Sequence, residues 1–285
     1  MKILVLVNKP DEDDAVSNDI SILDTDNENA LEAALRIKDK DVGTEVIAVT
    51  AGSLDATDML RECIAKGADD GILLSDENFD YENPRALASI LAAGIKKLGS
   101  VDLVIAGSQS FDLGIIQITP QLSYMLDMPL IFRVSEFCLS QADGSDSVQE
   151  GETELIPDEE LIPEERAEFI PEYGKVSVKS DLENCTLDLI SDLPCILSVT
   201  RDINTPRYTT VPDMLMSLSA EIKTMNGLDL GLDDQENRSE LFDEYNELLL
   251  SFPPKPRESG ITITGDTPED IAGSLMDHLR KKAVL

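Results

Sequence analysis

Apolar residues recur along the first 140 positions in two alternating rhythms. The runs KILVLV, TEVIAVT, GILLS, VDLVIAG and PLIFRVSEF are short and nearly continuous, as strands buried on both faces require. Between them, NENALEAALRIKDK, DATDMLRECIAKG, PRALASILAAGIKKLG and QITPQLSYMLD space their apolar residues three and four apart, the period of an amphipathic helix. Strand and helix in unbroken alternation predict an α/β fold, with a doubly wound, mostly parallel sheet covered by helices on both faces.

Local signals mark the helix ends. Thr25 and Glu28 have the spacing of a capping box, and Asn83 before Pro84 is a cap followed by proline at the first helical position. Gly67 and Gly99 stand where the second and third helices stop. Thr119 and Pro120 repeat the start signal for a fourth helix, and Thr267 and Pro268 for a last one.

The rhythm breaks at about 141–174. Between Asp143 and Glu172 there are twelve acids and one base, Arg166, with Pro157, Pro163 and Pro171 among them, so self-repulsion and proline both oppose a packed core and predict an exposed acidic excursion. KVSVK, NCTLDLI and PCILSVT after it look like strands that rejoin the sheet or form a small second one. From Met225 the chain continues as an acidic helix, SELFDEYNELLL, a break at PPKP, and DIAGSLMDHLRKK. This divides the chain into an α/β domain at 1–224, carrying the excursion, and an extended C-terminal arm at 225–285 placed to contact a partner.

Charge narrows the partners. With 57 acids against 23 bases the net charge is −34, which would repel a phosphate backbone over most of the surface and excludes nucleic acid as a partner. A basic partner, or simple solubility, accounts for it. Cys63, Cys138, Cys185 and Cys195 are scattered with no CxxC pair, and read as small, reduced, buried apolar residues of a cytoplasmic protein. The N-terminal run ILVLV is too short for a signal peptide, and no stretch approaches a membrane span.

In doubly wound sheets the ligand crevice opens at the carboxyl ends of the strands, where the strand order reverses. A strand order of 3-2-1-4-5 puts the turns VNKP and GSQSFD on that crevice, with the turn AGS at its border. Gly107 and Gly114 permit close approach of backbone to ligand, and the amides of a helix starting near Gln117 to Thr119 would favour an anion. Gln109, Asp112 and Gln117 add side-chain hydrogen bonds. The segment matches neither GxGxxG nor GxxxxGK[ST]. His278 is the only histidine and lies on the cationic last helix, so no Ser/His/Asp set is available in the main domain and no catalytic residue is expected. The methionines of PDMLMSL read as core or interface.

Several segments resemble, in order, the β subunit of electron transfer flavoproteins: NENALEAALRIKDK, EVIAVTAG, LRECIAKGADDGILL, VDLVIAGSQSFDLGIIQ, LPCILSVTRDINTPRYTTVPDML and PPKPRESGITITGDTPEDI. The resemblance spans most of the chain outside the excursion. It implies a Rossmann-like fold of the adenine-nucleotide-binding type and an electron-carrier subunit rather than an enzyme. FAD would be shared with an α subunit in a heterodimer, AMP or a second FAD would sit in the β crevice, and an acyl-CoA-type or other dehydrogenase or reductase would be the redox partner. By position, the nucleotide site falls on Leu6, Asp24, Thr25, Asp26, Asn27, Ala51, Gly107, Ser108, Gln109, Ser110, Phe111, Asp112, Leu113, Gly114, Ile115, Ile116, Gln117 and Ile118. The docking loop falls on RYTTVPDML, with Val211 as apolar anchor beside Tyr208 and Met214.

The departures from the family pattern are specific. Ser108 replaces a basic residue, carboxylates appear at Asp24 and Asp26, and no base follows the docking loop until Lys223. Two readings from other classes stand beside the first: a stand-alone adenine-nucleotide-binding module, and a non-redox scaffold whose crevice has lost its ligand.

Overall fold

The computed structural model describes residues 1–8, 23–81, 83–108, 113–141, 173–182, 185–232, 262–265 and 267–281. Nine strands form one sheet in the order β7-β6-β5-β8-β4-β1-β2-β3-β9. They are β1 (Lys2–Leu6), β2 (Glu45–Ala51), β3 (Asp70–Leu74), β4 (Leu103–Gly107), β5 (Leu130–Gln141), β6 (Tyr173–Asp181), β7 (Thr186–Asp192), β8 (Cys195–Val199) and β9 (Lys223–Met225). Pairing is parallel from β9 through to β5, and antiparallel only between β5 and β6 and between β6 and β7.

The helices α1 (Thr25–Lys40), α2 (Thr57–Lys66), α3 (Pro84–Lys97) and α4 (Leu113–Leu126) follow β1, β2, β3 and β4 in turn. Side-chain alternation along the strands divides the core in two. Ile3, Val5, Val46, Ala48, Leu103 and Ile105 pack with Leu31, Leu35 and Leu60 of α1 and α2. Leu4, Leu6, Ile47, Val49, Val104 and Ala106 pack with Ile90, Ile95 and Leu122 of α3 and α4. The strands of the parallel centre are therefore apolar on both faces, which is why they read as continuous runs.

The order differs from 3-2-1-4-5 at one place: β8 lies between β4 and β5, pairing Leu103 to Cys195 and Gly107 to Val199 on one side and Leu130 to Ile196 on the other. Thus PCILSVT rejoins the sheet, while KVSVK and NCTLDLI extend its far edge as β6 and β7. β5 is free to serve both neighbours because its register shifts between Ile131 and Val134, where Arg133 adopts a φ of +53°. Residues 142–172 connect β5 to β6 and lie outside the described residues.

Two helix starts differ from the sequence signals. Asp24, not Thr25, caps α1: it sits in extended backbone and its carboxylate accepts from the Asn27 amide at 2.7 Å. Glu28 is then released to pair with Lys66 instead of returning to Thr25. α4 begins at Leu113, not at Thr119, so Pro120 lies inside the helix and forgoes a bond to the carbonyl of Ile116. Asn83 does cap α3 ahead of Pro84, and Gly67 and Gly99 follow α2 and α3 with φ of +124° and +87°. Cys63 and Cys195 are buried, but Cys138 and Cys185 are exposed, since one lies on the antiparallel extension and the other in its turn.

Beyond β8 come a short 3₁₀ turn (Arg201–Ile203), α5 (Val211–Ser217), β9 on the edge of β3, and α6 (Gly227–Leu230). The compact unit runs from Met1 to Glu244, and a division at 224 falls inside β9. Residues 245–285 are a second unit, in which α7 (Pro268–Lys281) is capped by Thr267 accepting from the Asp270 amide at 3.3 Å. None of the α7 residues is buried, and Ile271, Leu275 and Met276 are exposed. SELFDEYNELLL lies outside the described residues. No described helix is long and apolar enough to cross a membrane.

Candidate functional site

The order in which successive strands are added reverses between β1 and β4, which run parallel, and a pocket opens at their carboxyl ends. It is a small cleft open to solvent at its mouth, lined by Leu6, Val7, Asn8, Ala51 and Ala106 from the strand ends, Leu87 and Leu91 from α3, and Ile118 and Thr119 from α4. None of these residues is charged. An apolar slot with a few polar atoms suits a flat, uncharged ring.

The first turn of α1 borders β4 at the same end of the sheet. Asn27 is 1% exposed; its amide nitrogen donates to the Asn8 carbonyl at 2.8 Å, while its Oδ1 has no partner among the described residues. Ser108, whose backbone amide prolongs the ladder to Val199 at 2.8 Å, likewise keeps a buried Oγ without a partner. Buried polar atoms are nearly always paired. Among the described residues Asn29 Oδ1 and Arg61 Nε are also unpartnered, but Asn27 and Ser108 are the two that stand at the carboxyl end of the sheet.

Gly107 serves packing here. A β-carbon on it would lie 2.7 Å from Cβ of Asp26 and 3.0 Å from its backbone carbonyl carbon, so glycine allows α1 to close on β4. Asp26, 1% exposed, receives the Arg201 guanidinium at 2.7 and 3.3 Å. Its carboxylate therefore brings its own cation to the crevice. Asp24 is occupied with capping, and burial, with Asp26 nearby, pushes its carboxyl above the usual range. The extra acids are thus less hostile to an anion than their count suggests, because Arg201 at the end of β8 neutralises Asp26.

Of the residues expected at the site, Leu6, Ala51 and Ile118 line the pocket. Asp26, Asn27, Gly107 and Ser108 lie at the same end of the sheet without lining the pocket, Asn27 bonding the carbonyl of the pocket residue Asn8, and Asp24 caps the helix beside them. Thr25 and Gln117 are exposed, Gln117 because α4 starts a turn earlier than its sequence signal. The backbone of Leu113, Gly114, Ile115 and Ile116 forms the first turn of α4, and Gln109, Ser110, Phe111 and Asp112 lie outside the described residues. Leu87, Leu91 and Arg201 were not anticipated. Among the described residues no group of three or more His, Cys, Asp or Glu could hold a metal ion.

A second surface lies at α5, which packs against α2. Thr210 caps it, accepting from the Asp213 amide at 3.3 Å, and Pro212 fills its first turn. Tyr208 is 96% exposed and Val211 73%, and Met214, Leu215, Met216 and Leu218 are exposed beside them. The methionines are therefore surface rather than core. Just upstream, Glu32 of α1 is 5% exposed and accepts from Arg207 Nε at 2.7 Å and Arg36 Nε at 2.9 Å. Burial pushes the Glu32 carboxyl up, but the bonds from Arg207 and Arg36 outweigh that and hold it below the usual carboxylate range.

Comparison with known proteins agrees with this arrangement. Residues 16–149 match the family model described as electron transfer flavoprotein domain. The chain is 35% identical over 265 residues to caffeyl-CoA reductase-Etf complex subunit CarD of Acetobacterium woodii, covering 93% of this chain and 88% of that one. It is 28% identical over 266 residues to electron transfer flavoprotein subunit beta of Thermoanaerobacterium thermosaccharolyticum, with the same coverage. It is also 27% identical over 277 residues to acryloyl-CoA reductase electron transfer subunit gamma of Anaerotignum propionicum, again covering 93% and 88%. A likeness that runs nearly end to end, on a doubly wound sheet with its crevice where the strand order reverses, makes this chain a member of the electron transfer flavoprotein family, of the beta-subunit type.

Proposed function

We propose that the chain pairs with an alpha-type subunit, holds an adenine nucleotide in its own crevice, and passes electrons between a flavin carried by the pair and an acyl-CoA-type dehydrogenase or reductase. The observation that carries the nucleotide reading is the uncharged slot at the β1 and β4 ends, flanked by the orphaned Asn27 Oδ1 and Ser108 Oγ. These residues fit an adenine nucleotide: Leu6, Ala51, Leu87 and Leu91 would wall the base, and the two orphans would accept or donate to its hydroxyls. The amides at the start of α4 favour the phosphate end, and Arg201 keeps Asp26 from repelling it. AMP bound there is inert to redox chemistry and consolidates the fold, whereas a flavin would supply an electron-carrying ring.

What this chain contributes is binding, exclusion of water and presentation. The apolar slot shields the base, and the exposed apolar residues around Val211 offer a protein acceptor a hydrophobic anchor. The C-terminal unit, with α7 exposed and apolar at Ile271, Leu275 and Met276, is the arm that engages the alpha-type subunit.

Co-expression with an alpha-type subunit, purification, and measurement of the visible spectrum and extracted nucleotides test the proposal. A yellow complex with one flavin and one AMP supports a simple carrier, and two flavins support a bifurcating one. A colourless chain that retains no partner would refute the carrier reading, while AMP on the isolated chain alone would favour a nucleotide-binding module.

A further inference from the structure

Two segments far apart in sequence, NENALEAALRIKDK and RDINTPR, meet along the length of α1. Asn29 Nδ2 donates to the Asn204 carbonyl at 2.8 Å and to the Arg201 carbonyl at 3.2 Å, and Asn204 Nδ2 returns a bond to the Asn29 carbonyl at 2.9 Å. The Arg207 amide and Nε both donate to Glu32 Oε2, at 3.3 and 2.7 Å. Arg36 Nη2 donates to the Thr205 carbonyl at 3.2 Å, and Arg207 Nη2 reaches Asp39 Oδ2 at 2.6 Å. With Asp26 holding Arg201, the residues used on α1 are 26, 29, 32, 36 and 39, three or four apart and so on one face of the helix.

The first part of that face is buried and polar: Asp26 and Asn29 are each 1% exposed and Glu32 5%, while Arg36 and Asp39 are exposed. Such groups are costly to bury unless bonded, and residues 201–207 bond Asp26, Asn29 Nδ2 and Glu32, with Asn29 Oδ1 left unpartnered among the described residues. The dependence runs the other way too. After the turn at Arg201–Ile203 the backbone from Asn204 to Thr210 belongs to no helix or strand, so its course relies on these side-chain ties. It leads directly into Tyr208 and α5, and none of the tying residues lines the pocket.

We infer that this stripe of α1 is a positioning device for the docking surface: Asn29 and Glu32, through Asn204 and Arg207, fix the direction in which Tyr208 and Val211 are presented to an acceptor protein. The inference rests on α5 being the docking segment. Arg207 forks onto a buried carboxylate and a surface one together, a geometry lysine cannot reproduce. Tyr208 and Val211 are thereby aimed without being packed themselves.

The test uses the full chain in complex with its alpha-type subunit, as native protein and as Arg207→Ala, Arg207→Lys, Asn204→Ala and Val211→Asp. Amide hydrogen exchange over 204–217 is measured alongside KM and kcat for a purified acyl-CoA dehydrogenase, with a small dye as an acceptor that needs no docking. Arg207→Ala and Asn204→Ala are expected to speed exchange in 204–217 by about tenfold and raise KM for the protein acceptor, with kcat and the dye rate unchanged. Arg207→Lys should fall between native and Arg207→Ala. Unchanged exchange in both alanine variants, or equal loosening of β1 and β4, overturns the inference. Val211→Asp isolates the docking assignment: it should raise KM without altering exchange. An unchanged KM there removes docking from α5, while exchange in the other variants still decides whether α1 holds it.

Discussion

Gly107→Ala is the sharpest test of how the crevice is built. The added methyl would stand 2.7 Å from Cβ of Asp26 and 3.0 and 3.1 Å from its carbonyl carbon and oxygen. Two of those three atoms are backbone, and the turn that carries them is pinned by the Asp24 cap and by Arg201, so no side-chain rotation relieves the clash. Overpacking of this kind costs about 1–3 kcal/mol, and a backbone collision belongs at the upper end. At about 2–4 °C per kcal/mol in a domain of this size, the melting temperature should fall by about 6–12 °C. Gly52→Ala is the control: its methyl would meet only Ala56 Cβ at 3.6 Å, an ordinary contact, for a cost of under about 1 kcal/mol. Thermal and urea unfolding followed by circular dichroism, with and without added AMP, read both. If Gly107→Ala melts within about 1 °C of the native protein and only nucleotide retention drops, then Gly107 serves the ligand rather than the contact with α1 and the reasoning fails.

Other expectations follow from the same contacts. Arg201→Ala strands the buried Asp26 carboxylate and should lower urea stability by about 3 kcal/mol, the low end of the buried-pair range because Arg201 is itself partly exposed. Glu32 has a folded-state pKa below its ordinary 4.5, so its contribution is fully present above that ordinary value and is lost as pH falls through the lower folded one; native protein and Glu32→Gln should therefore converge in stability only at the acid end of a titration, below the folded value. Ala51→Leu fills the slot and should cut AMP retention by about tenfold, read by equilibrium dialysis, while the melting curve without nucleotide stays within about 2 °C of native. Gly273 lies inside α7 with no described residue within 4 Å of an added methyl, so Gly273→Ala should slow hydrogen exchange across α7 by about threefold to fivefold.

The parallel centre was legible in the sequence because strands buried on both faces leave continuous apolar runs, and caps such as Asn83 with Pro84 act within a few residues of themselves. The crevice followed from topology: Leu6, Ala51 and Ile118 are where strand ends had to meet. What escaped was non-local. Nothing in PCILSVT says that it inserts between β4 and β5 rather than beyond β5, since an apolar strand fits either slot. Nothing near Asp26 says that its cation comes from Arg201, 175 positions away. The pair Thr119–Pro120 misled because a start signal and an interior proline look alike, and Asp112, a cap-type residue directly before Leu113, reads as part of the crevice instead.

The insertion of β8 has a consequence for how the chain is made. β4 and β5 leave the ribosome before their shared neighbour exists, and the roughly sixty residues between Gln141 and Val199 take about 3–12 s to synthesise. During that interval β4 and β5 each present an unpaired edge, the feature that most invites wrong pairing. The nearest wrong pairing is with each other, which would close the sheet in the simple order and lock β8 out. A ribosome paused just before Cys195 should thus display two open edges facing one empty slot, and it is that nascent species, more than the finished protein, on which a chaperone would find purchase.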